Sequence, residues 1–524
     1  MTTNPTTPVA AVRQTEPVAV LPRKIGLISA IAVLVGSTIG SGIFRSPASI
    51  ATRVPNLPLY LSIWGLGGLL TLCGALTYAE LSAALPRTGG PYVYLREAFG
   101  RLPAFLFGWT ELLILRASAI GAIATVAAEY LLRLLGRPVT VAVHTSSGTI
   151  QQSSMAVHYI AAVAILIVAG LNIAGISLSA IVQNSTTAAK YLALALLVAA
   201  AFFLRPRFPA PPSLQMRAGT GLSLGLFGLA LISILWVFDG WADLTFISGE
   251  VRKPDRNLPL ALILGTLAVL GIYLLANTAY LHLLDIHQVA GSTLVAADTV
   301  YRIAGNTGVS LVSLAVMISA FGTLNGSMMT GPRIFFAMAG DGLFFKRIAS
   351  VHPRLRTPHV AITLAATLGI IFVLVRSFDQ LADTFVLGIW PFYAGAVAAV
   401  YSLRRKRPDL DRPYKTLGYP VTPALFLLAA LYLLGNAAVA DTGNVIAFLS
   451  GKGAAPGTGG TLLVFGIILA GVPAYYIWEA VNGHGRGHGS KMSAVGAGSP
   501  LETNEDKIVT VPAVESSNRG RDGR

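Results

Sequence analysis

The sequence predicts an all-α membrane protein of twelve transmembrane helices, built as two inverted five-helix repeats with helices 1 and 6 broken. Three observations predict it. The 524 residues are 54% hydrophobic and only 12% charged, a balance foreign to soluble domains. The apolar residues gather into runs of spanning length, about 20 residues each. Two of these runs are interrupted by glycine and polar residues: the first at Gly36-Ser37-Thr38-Ile39-Gly40-Ser41-Gly42-Ile43-Phe44, the sixth at Phe238-Asp239-Gly240-Trp241. A break frees backbone groups that lipid cannot satisfy, so it survives only inside protein or beside a wet cavity.

The spans lie near residues 25–44, 58–84, 103–134, 156–173, 179–204, 222–249, 258–282, 309–339, 358–376, 380–402, 421–440 and 460–480. The third and eighth exceed the bilayer thickness and are expected to tilt or project. Residues 25–204 hold spans 1–5, residues 222–402 hold spans 6–10, and residues 421–480 add spans 11 and 12. An odd number of helices per repeat makes the second half enter the membrane from the opposite side, which is an inverted repeat. The halves share no strong residue identity, so the repeat rests on break position and topology. Residues 1–24 are Thr/Pro-rich without an apolar stretch long enough for a signal peptide, and residues 483–524 are Gly/Ser-rich and charged. Both are expected to be disordered cytoplasmic tails.

Orientation follows from the 38 Lys and Arg residues. Most of them fall on one side if the N-terminus is inside, including Arg87, Arg96, Arg101, Arg252, Lys253 and the run from Arg404 to Lys415. An even span count then leaves both termini cytoplasmic, in the plasma membrane (the inner membrane of a bacterium). The Ser/Thr/Gln-rich stretch 140–154 becomes an outer loop. The net charge of +15 lies in short loops between spans and points to no nucleic acid. Cys73 is the only cysteine, so no internal disulfide forms. No P-loop, no metal-ligand spacing and no catalytic constellation occurs, since His484 and His488 sit in the Gly-rich tail. Neither an enzyme, a cofactor nor a metal is expected.

The breaks are the candidate binding site. Around Gly40, Ser41 and Gly42 the chain can unwind at little steric cost. The half-helix that follows offers N–H groups and the positive end of its dipole to a carboxylate. Gly36 and Gly40 also have the spacing of a helix-packing face. At the second break, carbonyls near Trp236, Val237 and Asp239 suit an ammonium, and Asp239 adds a negative charge or caps the next half-helix. Trp236 is a candidate gate or an ordinary packing residue. Lys190 lies deep in span 5, where an ammonium needs carbonyls, hydroxyls or a carboxylate. It stands in for a sodium ion, titrates, or tethers. Ser319, Thr323 and Ser327 form a polar stripe on span 8 that offers it partners. Glu111 and Arg116, five residues apart and about 140° apart around an α-helix, are expected to be poor mutual partners with no transport role. The loop Pro86–Tyr92 reads as a tight turn with a basic rim, at a gate or simply inside-positive.

Across about residues 24–430 the chain resembles the amino acid–polyamine–organocation superfamily, and within it the L-type amino acid transporter family. The resemblance rests on Gly36–Phe44, Pro86–Tyr92, Asp239–Trp241 with Glu250–Pro259, Phe321–Ser327 and Arg407–Pro413. It implies that Ser41 and Gly42 meet the substrate α-carboxylate through backbone N–H groups. Carbonyls of Thr38 or Ile39, and of Trp236, Val237 or Asp239, would meet the ammonium. It places Trp236 at an aromatic gate and Lys190 in place of a sodium site. It implies sodium-independent transport, commonly by exchange, with proton coupling in related branches. Animal members join a heavy chain through a cysteine in the loop after helix 3. Residues 140–154 contain none, so no disulfide-linked heavy chain is expected.

The sequence therefore reads as a secondary transporter that moves amino acids across the plasma membrane by alternating access, sodium-independent and by exchange, with Lys190 and Ser327 in the coupling or sodium-surrogate role. The alternatives are a proton-coupled symporter and, in a different class, a non-transporting amino acid-sensing receptor.

Overall fold

The computed structural model describes residues 23–40, 42–145, 148–209, 224–292, 294–450 and 461–483. The described residues up to Trp478 form one compact unit. Ser41, part of the expected carboxylate site, lies outside the described residues, as do 1–22 and 484–524, both expected to be disordered.

Helix α1 (Leu27–Thr38) and α2 (Gly42–Arg53) are the halves of the first broken span and meet at a bend of 41°. The second half runs on past Phe44, where the apolar run ends. It does so because its two faces differ: Gly42, Ile43, Phe44, Ile50 and Ala51 are buried, while Arg45, Ser49 and Arg53 recur every four residues along another face. Helix α3 (Leu57–Ala84) starts at an Asn56 cap that accepts from Leu59 N–H at 3.1 Å, with Pro58 in its first turn. A short α4 (Pro91–Phe99) follows, then a long span of α5 (Arg101–Thr110), a π turn (Glu111–Leu115) and α6 (Arg116–Leu134).

The stretch expected as a plain outer loop instead forms a two-stranded antiparallel hairpin. It pairs β1 (Thr140–Thr145) with β2 (Gly148–Ser153) in the register Thr140 to Ser153 and Val143 to Ile150. Its Thr and Val content favours strand. Helices α7 (Met155–Ala174) and α8 (Ile176–Phe203) close the first half.

The second half opens with α9 (Leu224–Phe238), a break, and the single turn α10 (Asp243–Phe246). Then come α11 (Pro254–Leu283), the capping-box helix α12 (Ile286–Gly291), α13 (Val295–Thr330), α14 (Pro332–Gly340), α15 (His359–Val375) and α16 (Phe378–Lys406). Helices α17 (Val421–Leu449) and α18 (Thr461–Gly483) complete the described chain. Helix α13 is kinked at Gly305, whose φ of 56° is left-handed.

Among the described residues, nine helices are long and apolar enough to cross a membrane, and the bent pair α1–α2 makes a tenth. Helices α9 and α15 are apolar but shorter, at 15 and 17 residues. Helix α1 packs on α11, α8 and α13, and α13 packs on α6 and α8, so the first break lies in the interior of the bundle.

The end of the bundle where α1 starts is tied by charge. Glu80 is buried and accepts from Arg404 at 2.7 and 2.9 Å and from the Thr416 backbone N–H and hydroxyl at 2.7 Å each. Arg333 pairs with Glu250 at 3.2 Å. Arg96 pairs with Asp341, which also accepts from the Tyr92 hydroxyl at 2.7 Å. The Pro86–Tyr92 loop docks under the second break, with Gly89 N–H donating to the Phe246 carbonyl at 2.9 Å.

Candidate functional site

The two breaks touch. Gly240 has φ of +99°, which favours glycine, and a Cβ there would lie 2.7 Å from the Ser37 carbonyl carbon. Gly42 opens α2, and a Cβ there would lie 2.9 Å from the Val237 Cα. Only glycine lets the backbones approach so closely. The unwound segments share one more partner: the Tyr273 hydroxyl on α11 lies 2.9 Å from the Thr38 carbonyl and 3.0 Å from the Val237 carbonyl. A hydroxyl has one proton to donate, so it serves one of the two at a time.

Between the breaks lies a cavity of about 40 Å³, room for a few waters rather than an amino acid. Its walls include Thr38, Gly40 and Gly42 from the first break and Trp236, Val237 and Asp239 from the second. Most of the expected site residues thus come together. Ile39 is buried without lining the cavity. Its carbonyl lies 3.2 Å from the Thr323 hydroxyl and 3.4 Å from that of Ser319. Gly36 packs against Gln183 and Thr187 of α8 and Gly40 against Thr323 of α13, so the packing-face reading describes their contacts.

Asp239 does not cap α10, whose cap position is Ala242 and has no side-chain hydrogen bond. Its carboxylate instead accepts from the Tyr393 hydroxyl at 3.0 Å, which leaves it half-buried at the cavity wall. Trp236 meets Phe378 and Phe385 edge-on, with centroids 6.0 and 5.5 Å apart. It forms a wall of the central cavity and of a second cavity beyond it.

Lys190 is buried, and its ammonium donates to the Gly36 carbonyl and the Thr323 hydroxyl, both at 2.6 Å. Of the polar stripe on α13, only Thr323 reaches it. Ser319 turns to the first break, and the Ser327 hydroxyl accepts from Arg116 at 2.9 Å. The physical reason is the helical repeat: eight residues along, a side chain has rotated about 80° from the first. Ser327 therefore belongs to a different cluster from Lys190.

That cluster was not legible in the sequence. Glu111 and Arg116 are ion-paired at 3.2 Å, both buried. The expectation that they are poor partners assumed α-helical geometry. The π turn between them, closed by the Arg116 N–H on the Glu111 carbonyl, brings positions five apart onto one face. Arg116 then reaches the central cavity, where Asp243 also stands, 3.0 Å from the Thr330 hydroxyl. Asp243, Glu111 and Arg116 are all ionisable residues within apolar segments, a general signal of function that the sequence analysis applied to Asp239 and Lys190 but not to these three.

The amino acid permease family model matches residues 25–473. The chain belongs to the amino acid permease family. It is 31% identical to the serine/threonine exchanger SteT of Bacillus subtilis over 462 residues, 87% of this chain and 97% of that protein. It is 32% identical to the human b(0,+)-type amino acid transporter 1 over 415 residues, 79% and 82% of the two chains. The human cystine/glutamate transporter is 30% identical over 462 residues, 88% and 86% of the two chains.

In this permease the contacts flanking the central cavity differ at its two ends. At one end Trp241 and Tyr78 stack edge to face with centroids 4.7 Å apart, Tyr393 adds a third ring, and the Glu80, Glu250 and Asp341 ion pairs lie beyond. Toward the other end the wall is Trp236 with Phe378 and Phe385, and Arg45 pairs with Glu129.

Proposed function

We propose that this permease is a sodium-independent amino acid exchanger of the plasma membrane, working by alternating access. The observation that carries this reading is the meeting of two helix breaks at one buried cavity. Gly42, which opens α2 and lines the cavity, offers its N–H to an α-carboxylate. The Val237 and Thr38 carbonyls serve the α-ammonium, and the Asp239 carboxylate adds a negative charge to the wall that favours a cationic side chain. The cavity is too small for an amino acid in this conformation, so binding must part the breaks, with Trp236 swinging outward. Such coupling of occupancy to shape is what a carrier needs. Lys190 supports sodium independence, because a fixed ammonium already fills the space between Gly36 and Thr323.

The membrane topology in this reading is twelve spans: the nine long helices, the α1–α2 pair, α9 and α15. Residues 25–204 and 222–402 form the inverted repeats and 421–480 the two added spans, with both termini cytoplasmic. The chain works without a disulfide-linked heavy chain. Relatives named as exchangers and amino acid transporters support the substrate class.

A second reading, proton-coupled symport, has one specific observation in its favour. Asp239 and Asp243 line the same cavity as the buried Arg116, which is ion-paired with Glu111, a set of three carboxyl groups and one cation in which a proton can be held.

The deciding experiment is radiolabelled amino acid uptake into proteoliposomes in sodium-free buffer. Uptake that requires unlabelled amino acid inside establishes exchange. Uptake into empty vesicles driven by an imposed proton gradient establishes symport. Binding without flux leaves a receptor.

A further inference from the structure

Beyond Trp236 lies a second cavity of about 260 Å³, several times the central one and near the low end of small-molecule sites, roughly 300 Å³. Its polar wall comes from the second half of the first broken span. Arg45, Ser49 and Arg53 stand at i, i+4 and i+8 of α2 and all three line it.

The two arginines differ in what holds them. Arg45 is paired with Glu129 and lies over the Phe378 ring, 4.2 Å from its centroid. Arg53 makes no ion pair among the described residues. It uses one nitrogen, Nη1, to donate to the Leu229 carbonyl at 3.1 Å and to the Ser233 hydroxyl. Its Nε and Nη2 remain, and that fork matches a carboxylate in geometry and charge. Ser49 is 3.5 Å from Ser233, so two hydroxyls flank the guanidinium. Asp383 contributes a carboxylate to the lining of the same cavity. A cavity with charges of both signs favours a zwitterion over a simple anion.

We infer that this cavity is a second amino acid site, an antechamber in which Arg53 holds the carboxylate and Asp383 attracts the ammonium. Trp236 is the partition between it and the central site. The inference rests on the reading of the chain as an amino acid carrier. It adds that a substrate molecule docks outside the partition before, or while, the central site is occupied.

The test is the stoichiometry of binding to the full chain in nanodiscs, by equilibrium dialysis against a ¹⁴C-labelled mixture of the twenty amino acids. The native chain is expected to bind two equivalents. Arg53→Gln is expected to bind one, Gly42→Val one, and Arg53→Lys to keep the second with weakened affinity. The equivalent retained by Arg53→Gln shows that this variant is folded. One equivalent in the native chain, unchanged by Arg53→Gln, overturns the antechamber and leaves the carrier reading intact. Loss of all binding in Arg53→Gln also overturns it, because the two sites are then not separate. No binding by the native chain overturns the carrier reading and the antechamber together.

Discussion

The Lys190 ammonium and the Thr323 hydroxyl lie 2.6 Å apart, and the same ammonium donates to the Gly36 carbonyl at 2.6 Å. Lys190 thereby pins α8 to the last turn of α1 and to α13. Three helices of the bundle thus share a single buried cation.

Lys190→Ala removes that cation, so the Thr323 hydroxyl loses its donor and the Gly36 carbonyl keeps only the Thr323 hydroxyl, 3.1 Å away. A buried charge-assisted hydrogen bond is worth about 1.5–3 kcal/mol. Uptake in sodium-free buffer is therefore expected to fall by about 10- to 100-fold. Initial-rate uptake in proteoliposomes checks this, alongside a thermal melt. A lowered melting temperature with unchanged uptake would make Lys190 a tether.

Gly42→Val places branched carbon atoms where the Val237 Cα already stands, since even a Cβ would come within 2.9 Å. The breaks must then separate, at a cost of about 1–3 kcal/mol. Substrate binding at the central site is expected to be lost while the chain stays monodisperse. Unaltered central-site affinity would remove the carboxylate assignment from α2.

Asp239→Asn keeps the shape and the contact with Tyr393 but discards the charge. Cationic amino acids are expected to lose about tenfold or more in competition against labelled substrate, and neutral ones less. Tyr393→Phe deletes only the 3.0 Å hydrogen bond and serves as the control. Equal losses for both substrate classes in Asp239→Asn would mean that the carboxylate orients the common ammonium rather than reading the side chain.

Glu111→Gln leaves Arg116 a buried cation without its ion-pair partner, and Arg116→Met does the reverse to Glu111. Each single change is expected to destabilise by about 3–5 kcal/mol, and the double change by less than the sum. Thermal unfolding of the four proteins of the cycle measures it. Additive effects would show that the pair across the π turn does not couple.

Much of the architecture was legible without coordinates. Apolar runs of spanning length and the two breaks at Gly36–Phe44 and Phe238–Trp241 are local properties of the chain. The bilayer penalises every exposed backbone group, so an interrupted apolar run has few places to go. Thr38, Gly40, Gly42, Trp236, Val237 and Asp239 accordingly line one cavity. Lys190 was legible as a residue that must find oxygen partners. Thr323 was legible in the stripe that offers it partners, and the Gly36 carbonyl was not.

The tertiary structure alone decided the rest, because those contacts join residues far apart in sequence or depend on a local helix geometry that composition does not encode. The π turn converts Glu111 and Arg116 from strangers to partners and swings Arg116 into the cavity. The rotation of α13 gives Thr323 to Lys190 and Ser327 to Arg116. Tyr273 reaches both breaks from α11. Arg45 and Arg53, which mark the end of an apolar run in the sequence, become part of the polar wall of the second cavity once α2 packs on α9. Burial by lipid constrains which segments cross and where they break, and each segment carries that information itself. The choice of partner belongs to packing, which exists only when all the helices are in place.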